Sequence, residues 1–144
     1  MAALKNDWTL PEAGYRKFIS SAMAYALSKS LSRKKFEVVH EGYLDLHNPG
    51  SDAPDVIVYE AENNNEPVLM IELCFDANEK DILRTVGIIR EIYNVKEAFV
   101  FNIESDYWTN CSSAHVTKGS YSELFNIDLG ILLKNNLARF QSLT

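Results

Sequence analysis

The chain has 144 residues, of which 47% are hydrophobic and 24% are charged. This length suits one domain with a substantial core and leaves little room for two, so we predict a single domain over residues 1–144. The formal net charge of -6 is unlike that of proteins that bind nucleic acid over their whole surface, although it leaves room for local basic patches.

The two cysteines, Cys74 and Cys111, are too few for a disulfide framework in a domain of this size. They are therefore expected to be free thiols in a reducing compartment. The sequence shows no signal peptide pattern and no apolar run of the roughly 18–20 residues that a membrane span needs. These features predict a cytoplasmic protein.

The first predicted helix begins near Thr9, which can act as its N-cap, with Pro11 in the first turn and Glu12 completing a capping box. Apolar residues then recur at helical spacing, which predicts one buried face. These residues are Tyr15, Phe18, Ile19, Ala22, Met23, Ala26, Leu27 and Leu31.

A basic cluster lies at the end of this helix and consists of Lys29, Arg33, Lys34 and Lys35. Cations at this place can complement the negative end of a helix dipole. They can also contact the phosphate groups of a nucleic acid. The sequence leaves both interpretations open.

Four β-rich segments follow the first helix. Residues 36–40 predict a strand, and residues 43–46 predict a second short strand. Residues 56–59 and 68–74 flank a polar, asparagine-rich connection, a pattern that is typical of a hairpin.

The second predicted helix covers residues 78–93, with Ile82, Val86, Ile89 and Tyr93 on one face. Asn94 is expected to end it, because asparagine tolerates the left-handed conformation of a C-cap. Residues 97–103 then form a nearly continuous apolar strand, which should lie parallel to the strand over 68–74.

The C-terminal part of the chain predicts one or two edge strands within residues 106–118. A last helix follows, with Asp128 as its N-cap. Its predicted apolar face consists of Leu129, Leu132, Leu133, Leu137 and Phe140.

Two carboxylates in the hairpin are the main candidates for chemistry. If the turn is centred between Asn63 and Asn64, Asp55 lies opposite Glu72, and opposed residues in a hairpin have Cβ atoms about 4.5–5.5 Å apart. Glu72 also interrupts an apolar strand, so it should be at least partly buried, and a buried carboxylate needs a partner. The partner can be a metal ion, a lysine or arginine, or backbone donors. A metal site and a salt bridge to Lys80 or Arg84 on the following helix are equally open.

The order Pro54-Asp55, sixteen residues, then Glu72-Leu73-Cys74 resembles the motif of PD-(D/E)xK nucleases. The chain is closer still to the small restriction-endonuclease-like proteins best known from cyanobacteria, which it resembles also at residues 51–59, 93–101 and 121–133. The resemblance covers roughly residues 36–135. It implies an α/β restriction-endonuclease-like fold, in which a central mixed sheet (a hairpin plus a βαβ unit) is flanked by helices.

The same resemblance implies a metal-dependent endonuclease that hydrolyses phosphodiester bonds in DNA. Asp55 and Glu72 would bind Mg²⁺, or Mn²⁺ as a substitute, because Mg²⁺ prefers carboxylate and water oxygens. An additional acidic ligand would come from Glu41 or from Glu12, of which we prefer Glu41.

The sequence departs from this family at the lysine of the motif, whose position is taken by Cys74. Cysteine carries no stable positive charge, so Lys80 or Arg84 on the neighbouring helix would have to supply the catalytic cation. Alternatively, the domain has lost catalysis and binds nucleic acid or a protein partner. A third interpretation is self-association as a homodimer through the aromatic pair Tyr107 and Trp108 and the last helix.

Overall fold

The computed structural model describes residues 12–42, 44, 53–63 and 65–142, with side chains described from Tyr15 to Arg139. In chain order, the main elements are helix α1 (Glu12–Ser30), strands β1 (Phe36–His40), β2 (Val56–Glu60) and β3 (Glu66–Cys74), helix α2 (Glu79–Tyr93), strands β4 (Glu97–Asn102), β5 (Tyr107–Asn110), β6 (Thr117–Lys118), β7 (Tyr121–Ser122) and β8 (Ile127–Asp128), and helix α3 (Leu129–Ser142).

The centre of the fold is a six-stranded mixed sheet with the strand order β1-β2-β3-β4-β5-β6. Strands β3 and β4 are parallel, and the other neighbouring pairs are antiparallel. Strands β7 and β8 form a separate two-stranded sheet. The predicted hairpin plus βαβ unit is therefore confirmed, with α2 as the crossover helix between the parallel strands.

Each face of the sheet carries its own hydrophobic cluster, because side chains of a strand alternate between the two faces. Leu69, Ile71 and Leu73 of β3 pack on the face that α1 and α3 cover. Met70 and Cys74 pack on the opposite face, which α2 covers. By this alternation Glu72 belongs to the α2 face.

The hairpin register agrees with the prediction from the asparagine-rich turn. Val56 pairs with Ile71, and the next pairs continue in step to Val58 and Leu69. A β-bulge between Val58 and Tyr59 then shifts the register by one residue on the turn side. Since Asp55 directly precedes Val56, the carboxylates of Asp55 and Glu72 fall at the regular end of the hairpin.

The predicted helix ends are largely confirmed. A 3₁₀ turn over Asp76–Asn78 precedes α2, and Asn94 ends the helix in the left-handed conformation with φ 53°. The Asp128 carboxylate accepts a hydrogen bond from the Ile131 amide at 3.1 Å, as an N-cap residue does. The predicted N-cap at Thr9 lies outside the described residues, as does the predicted strand over 43–46 apart from Leu44.

One aromatic residue differs from expectation. Phe18, predicted on the buried face of α1, is 45% exposed and makes an edge contact with Tyr15. Trp108, which the sequence leaves free either to close one side of the core or to form a contact between copies of the chain, is 8% exposed and stacks on Phe101 at 4.7 Å between ring centroids. The Trp108 ring thus belongs to the core, whereas Tyr107 beside it remains exposed.

Among the described residues, no helix is both long enough and apolar enough to cross a membrane.

Candidate active site

The carboxylates of Asp55 and Glu72 meet at the end of the β2–β3 hairpin, as the sequence predicted. The Asp55 amide donates a hydrogen bond to Glu72 Oε1 at 3.3 Å. In return, the Leu73 amide donates to Asp55 Oδ2 at 2.7 Å. These reciprocal bonds extend the pairing of the two strands by one residue and fix both carboxylates in place.

Arg16 of α1 supplies the cation at this carboxylate pair, a role that the sequence analysis did not assign to it. Its Nη2 atom lies 3.2 Å from Asp55 Oδ2 and 3.5 Å from Glu72 Oε1. The same nitrogen donates to the Leu73 carbonyl oxygen at 2.9 Å. Three oxygen atoms from two strands therefore converge on one guanidinium nitrogen.

The site is half-enclosed. The side chains of Asp55 and Glu72 are 15% and 14% exposed, and that of Arg16 is 30% exposed. The Arg16 Nε atom is buried and has no hydrogen-bond partner among the described residues. Tyr15 and Ile19 anchor α1 in the core on the face of the sheet opposite α2, and the Arg16 side chain reaches the pair at the end of the β2–β3 hairpin.

The Glu72 carboxyl keeps its proton at pH values well above those at which a glutamate side chain ordinarily ionises. Burial is the main cause, since it disfavours the charged form, and the hydrogen bond and negative charge of Asp55 act in the same direction. The Arg16 guanidinium opposes them. The balance raises the pKa of Glu72 to about 9.

Cys74 occupies the position two residues after Glu72 and lies on the same face of β3. Its thiol is buried, and burial, together with the negative charge of Glu79, raises its pKa to about 12. The thiol is therefore neutral at physiological pH. It packs in the hydrophobic cluster under α2 and carries none of the charge that a lysine would bring to this position.

The structure does not bring Lys80 or Arg84 to the carboxylate pair. Both side chains are exposed on α2, and the Arg84 guanidinium pairs with Asp81, one turn earlier on the same helix, at 2.6 Å. Within the part of the chain that the structure describes, the cation in ion-pair distance of Glu72 is that of Arg16.

Glu41 lies beside Asp55 through its backbone. Its amide donates to the Asp55 carbonyl at 3.0 Å, and its own φ is 59°. The side chain of Glu41 is exposed, and the side chain of Glu12 lies outside those that the structure describes. Among the described residues, no group of three or more His, Cys, Asp or Glu side chains is arranged to hold a metal ion.

A second polar group, which the sequence analysis missed, joins the ends of β3 and β4. The buried Asn102 amide donates to the carboxylates of Asp76 and Glu79, and its carbonyl oxygen accepts from the Glu104 and Ser105 amides. All four bonds are internal to the fold. The sequence signal for this group is an asparagine that ends an otherwise apolar strand, and its role is to tie the start of α2 to β4.

Comparison with known proteins supports the fold. The structure is similar to that of a "putative nuclease belonging to DUF820" from Anabaena variabilis, with a TM-score of 0.61 and 10% sequence identity. The similarity covers 85% of this chain and 82% of that one. No protein-family model and no curated protein sequence matches the chain. The molecule thus shares the α/β fold of that protein, in which a central mixed sheet is flanked by helices.

Proposed function

We propose that this protein hydrolyses phosphodiester bonds in DNA and that Asp55 and Glu72 bind the divalent metal ion, Mg²⁺ or Mn²⁺, on which the reaction depends. The convergence of these two carboxylates at the end of the β2–β3 hairpin carries the proposal. The similarity to a nuclease fold agrees with it. The PD-(D/E)xK assignment rests on Pro54, Asp55 and Glu72 and remains part of the proposal.

The donor atoms suit a hard divalent cation. Asp55 Oδ2, Glu72 Oε1 and the Leu73 carbonyl oxygen are all within 3.5 Å of the single Arg16 Nη2 atom. Mg²⁺ is bound in proteins through one or two carboxylates, with waters and substrate phosphate oxygens completing its shell. When bound, such an ion activates a water molecule and offsets the charge that develops on the phosphate.

The contribution of the chain itself is to orient these ligands. The Asp55 and Leu73 amides donate to the two carboxylates and thereby fix the direction of their remaining lone pairs. Cys74 adds no charge because its thiol stays protonated. The motif is therefore degenerate at its lysine position, and among the described residues the cation within ion-pair distance of both carboxylates is the guanidinium of Arg16.

The degenerate motif also favours a second candidate function. Because the buried, neutral Cys74 takes the position of the lysine, the site lacks the group that would polarise the attacking water. The Arg16 guanidinium also already neutralises the charge of the carboxylate pair. A domain of this kind would bind nucleic acid or a protein partner, or self-associate, without cleaving DNA.

The basic cluster at the end of α1 is a candidate contact for the DNA backbone. Lys29, Arg33, Lys34 and Lys35 are all exposed, and Lys29 and Arg139 line one cleft between α1 and α3. A residue near the end of α1 lies about 20 Å from Arg16 along the helix axis, since the rise is about 1.5 Å per residue. This separation would place phosphate contacts about six base pairs from the cleavage site, since DNA rises about 3.4 Å per base pair, and they would add a salt-dependent term to DNA affinity.

Plasmid nicking tests the proposed activity directly. Supercoiled DNA is incubated with the wild-type protein in the presence of Mg²⁺ or Mn²⁺ and, separately, of a chelator. We expect metal-dependent nicking that is lost in Asp55→Asn. Asp106→Asn is the matched control, because it makes the same chemical change in an exposed surface ion pair with Lys134.

The two candidate functions give different results. If the wild type and Asp55→Asn nick equally little with either metal while the wild type still binds DNA in a gel-shift assay, the catalytic proposal fails and the binding function stands. Equal nicking by both proteins would indicate a contaminating nuclease and would also contradict the role of Asp55.

A further inference from the structure

We infer that the guanidinium of Arg16 occupies the cation position of the candidate site, so that Arg16 and a divalent metal compete for Asp55 and Glu72. This inference rests on the proposed function, because it concerns the metal site that the proposed reaction uses. It assigns to Arg16 a role that neither the nuclease motif nor the sequence pattern predicts.

The geometry of the contacts is the first reason. Arg16 Nη2 contacts one oxygen atom each of Asp55, Glu72 and Leu73, at 3.2, 3.5 and 2.9 Å. These are the same carboxylate and carbonyl oxygens that a hard cation would use. A metal ion bound to all three atoms would need the space that Nη2 fills.

Charge is the second reason. The guanidinium group of Arg16 carries a permanent positive charge. A dication and a guanidinium in contact with the same oxygen atoms would repel each other. Metal binding therefore requires the Arg16 side chain to move away.

The surroundings of Arg16 allow this movement. The side chain is 30% exposed, so the guanidinium has access to solvent. Its Nε atom is buried without a hydrogen-bond partner among the described residues, so no hydrogen bond of Nε is broken when the group turns outward. Within the part of the chain that the structure describes, the polar contacts of Arg16 are therefore those of Nη2, all of which a metal ion would take over.

Direct titration of the metal tests the competition. Mn²⁺ binding is measured by the loss of the free-ion signal in electron paramagnetic resonance, for the wild type and for Arg16→Met. We expect Arg16→Met to bind Mn²⁺ at least tenfold more tightly than the wild type. Lys17→Met is the matched control, because Lys17 is the next residue of α1, is exposed and carries the same charge, and it should bind like the wild type.

The double variant Arg16→Met/Asp55→Asn shows whether binding occurs at this site, since it should lose the tighter Mn²⁺ binding that is expected for Arg16→Met. If the wild type and Arg16→Met bind Mn²⁺ equally and Asp55→Asn abolishes the binding, the competition is refuted while the proposed function stands. If neither protein binds Mn²⁺ through Asp55, the metal site itself is refuted, and the inference falls with it.

A measurement on the wild-type protein tests the displacement of Arg16 without depending on whether an Arg16 variant folds. The Nε–Hε resonance of Arg16 is followed by ¹H–¹⁵N nuclear magnetic resonance during addition of diamagnetic Mg²⁺. We expect this resonance to move toward the position of a solvated arginine as the site fills. An unchanged resonance at Mg²⁺ concentrations that saturate Asp55-dependent binding would refute the displacement of Arg16.

Discussion

The raised pKa of Glu72 predicts that replacing its carboxyl by an amide stabilises the metal-free protein at neutral pH. Glutamine keeps the length of the side chain and an oxygen that can accept the hydrogen bond from the Asp55 amide. It cannot ionise, however, and so it avoids the cost of keeping a proton on a buried carboxyl. We therefore expect Glu72→Gln to raise the free energy of unfolding in the presence of a chelator.

The sign and magnitude follow from the proton balance. The carboxyl loses its proton near pH 4.5 in the unfolded chain and near pH 9 in the folded protein. The favourable contribution of Glu72 is therefore complete below pH 4.5 and is lost progressively as the pH rises toward 9. At pH 7 the loss extends over about 2.5 pH units, which amounts to about 3–4 kcal/mol at about 1.4 kcal/mol per unit.

Urea unfolding followed by circular dichroism, at several pH values between 4.5 and 8, measures this difference. The stability of Glu72→Gln relative to the wild type should rise by about 3–4 kcal/mol between pH 4.5 and pH 7. Glu62→Gln, the same substitution in the exposed β2–β3 connection, should differ little from the wild type throughout. A flat difference for Glu72→Gln across this range would refute the reasoning, because it would mean that Arg16 outweighs burial and keeps Glu72 ionised.

Three further predictions concern other parts of the fold. Cys74 and Cys111 are buried, and their pKa values are raised to about 12 and about 11. Neither thiol should therefore react with Ellman's reagent at pH 8 until urea unfolds the protein. Rapid reaction of the native protein would contradict this prediction. Glu97→Ala should lower the free energy of unfolding in urea by about 2–3 kcal/mol. The reason is that the buried carboxylate of Glu97 accepts hydrogen bonds from the Ser122 hydroxyl and two backbone amides. A change below about 0.5 kcal/mol would show that water replaces these bonds. Asp128→Ala should lower the stability by about 1 kcal/mol through loss of the α3 N-cap, and an unchanged urea midpoint would show that the cap contributes nothing.

The carboxylate pair could be predicted because its position depends on local signals. The β-rich segments and the asparagine-rich turn between them specify the hairpin, and the hairpin register then brings Asp55 opposite Glu72. The burial of Glu72 followed in the same way from its place in an apolar strand. Both inferences use residues that are close in the sequence or related by a single turn.

The cation of the site could not be found in this way. Arg16 precedes Asp55 by 39 residues and lies on a helix whose pattern specifies only a buried apolar face. The packing of α1 against the sheet decides which polar residue at the edge of that face reaches the hairpin. The sequence therefore favours Lys80 and Arg84, although in the structure both are exposed and the described ion pair of Glu72 is with Arg16. The sequence does not predict the hydrogen bonds of the buried Glu97 carboxylate for a similar reason, because its partners come from the later β7–β8 segment.

The β-bulge between Val58 and Tyr59 has a consequence for variation in the hairpin. It lies between the carboxylate pair and the turn, and the pairing of Val56 with Ile71 is regular on the side of the site. A bulge absorbs one unpaired residue without transmitting it to the rest of the ladder. Residues can therefore be inserted into or removed from the β2–β3 connection while Asp55 and Glu72 keep their alignment, which makes this connection a suitable place to attach a probe or a tag.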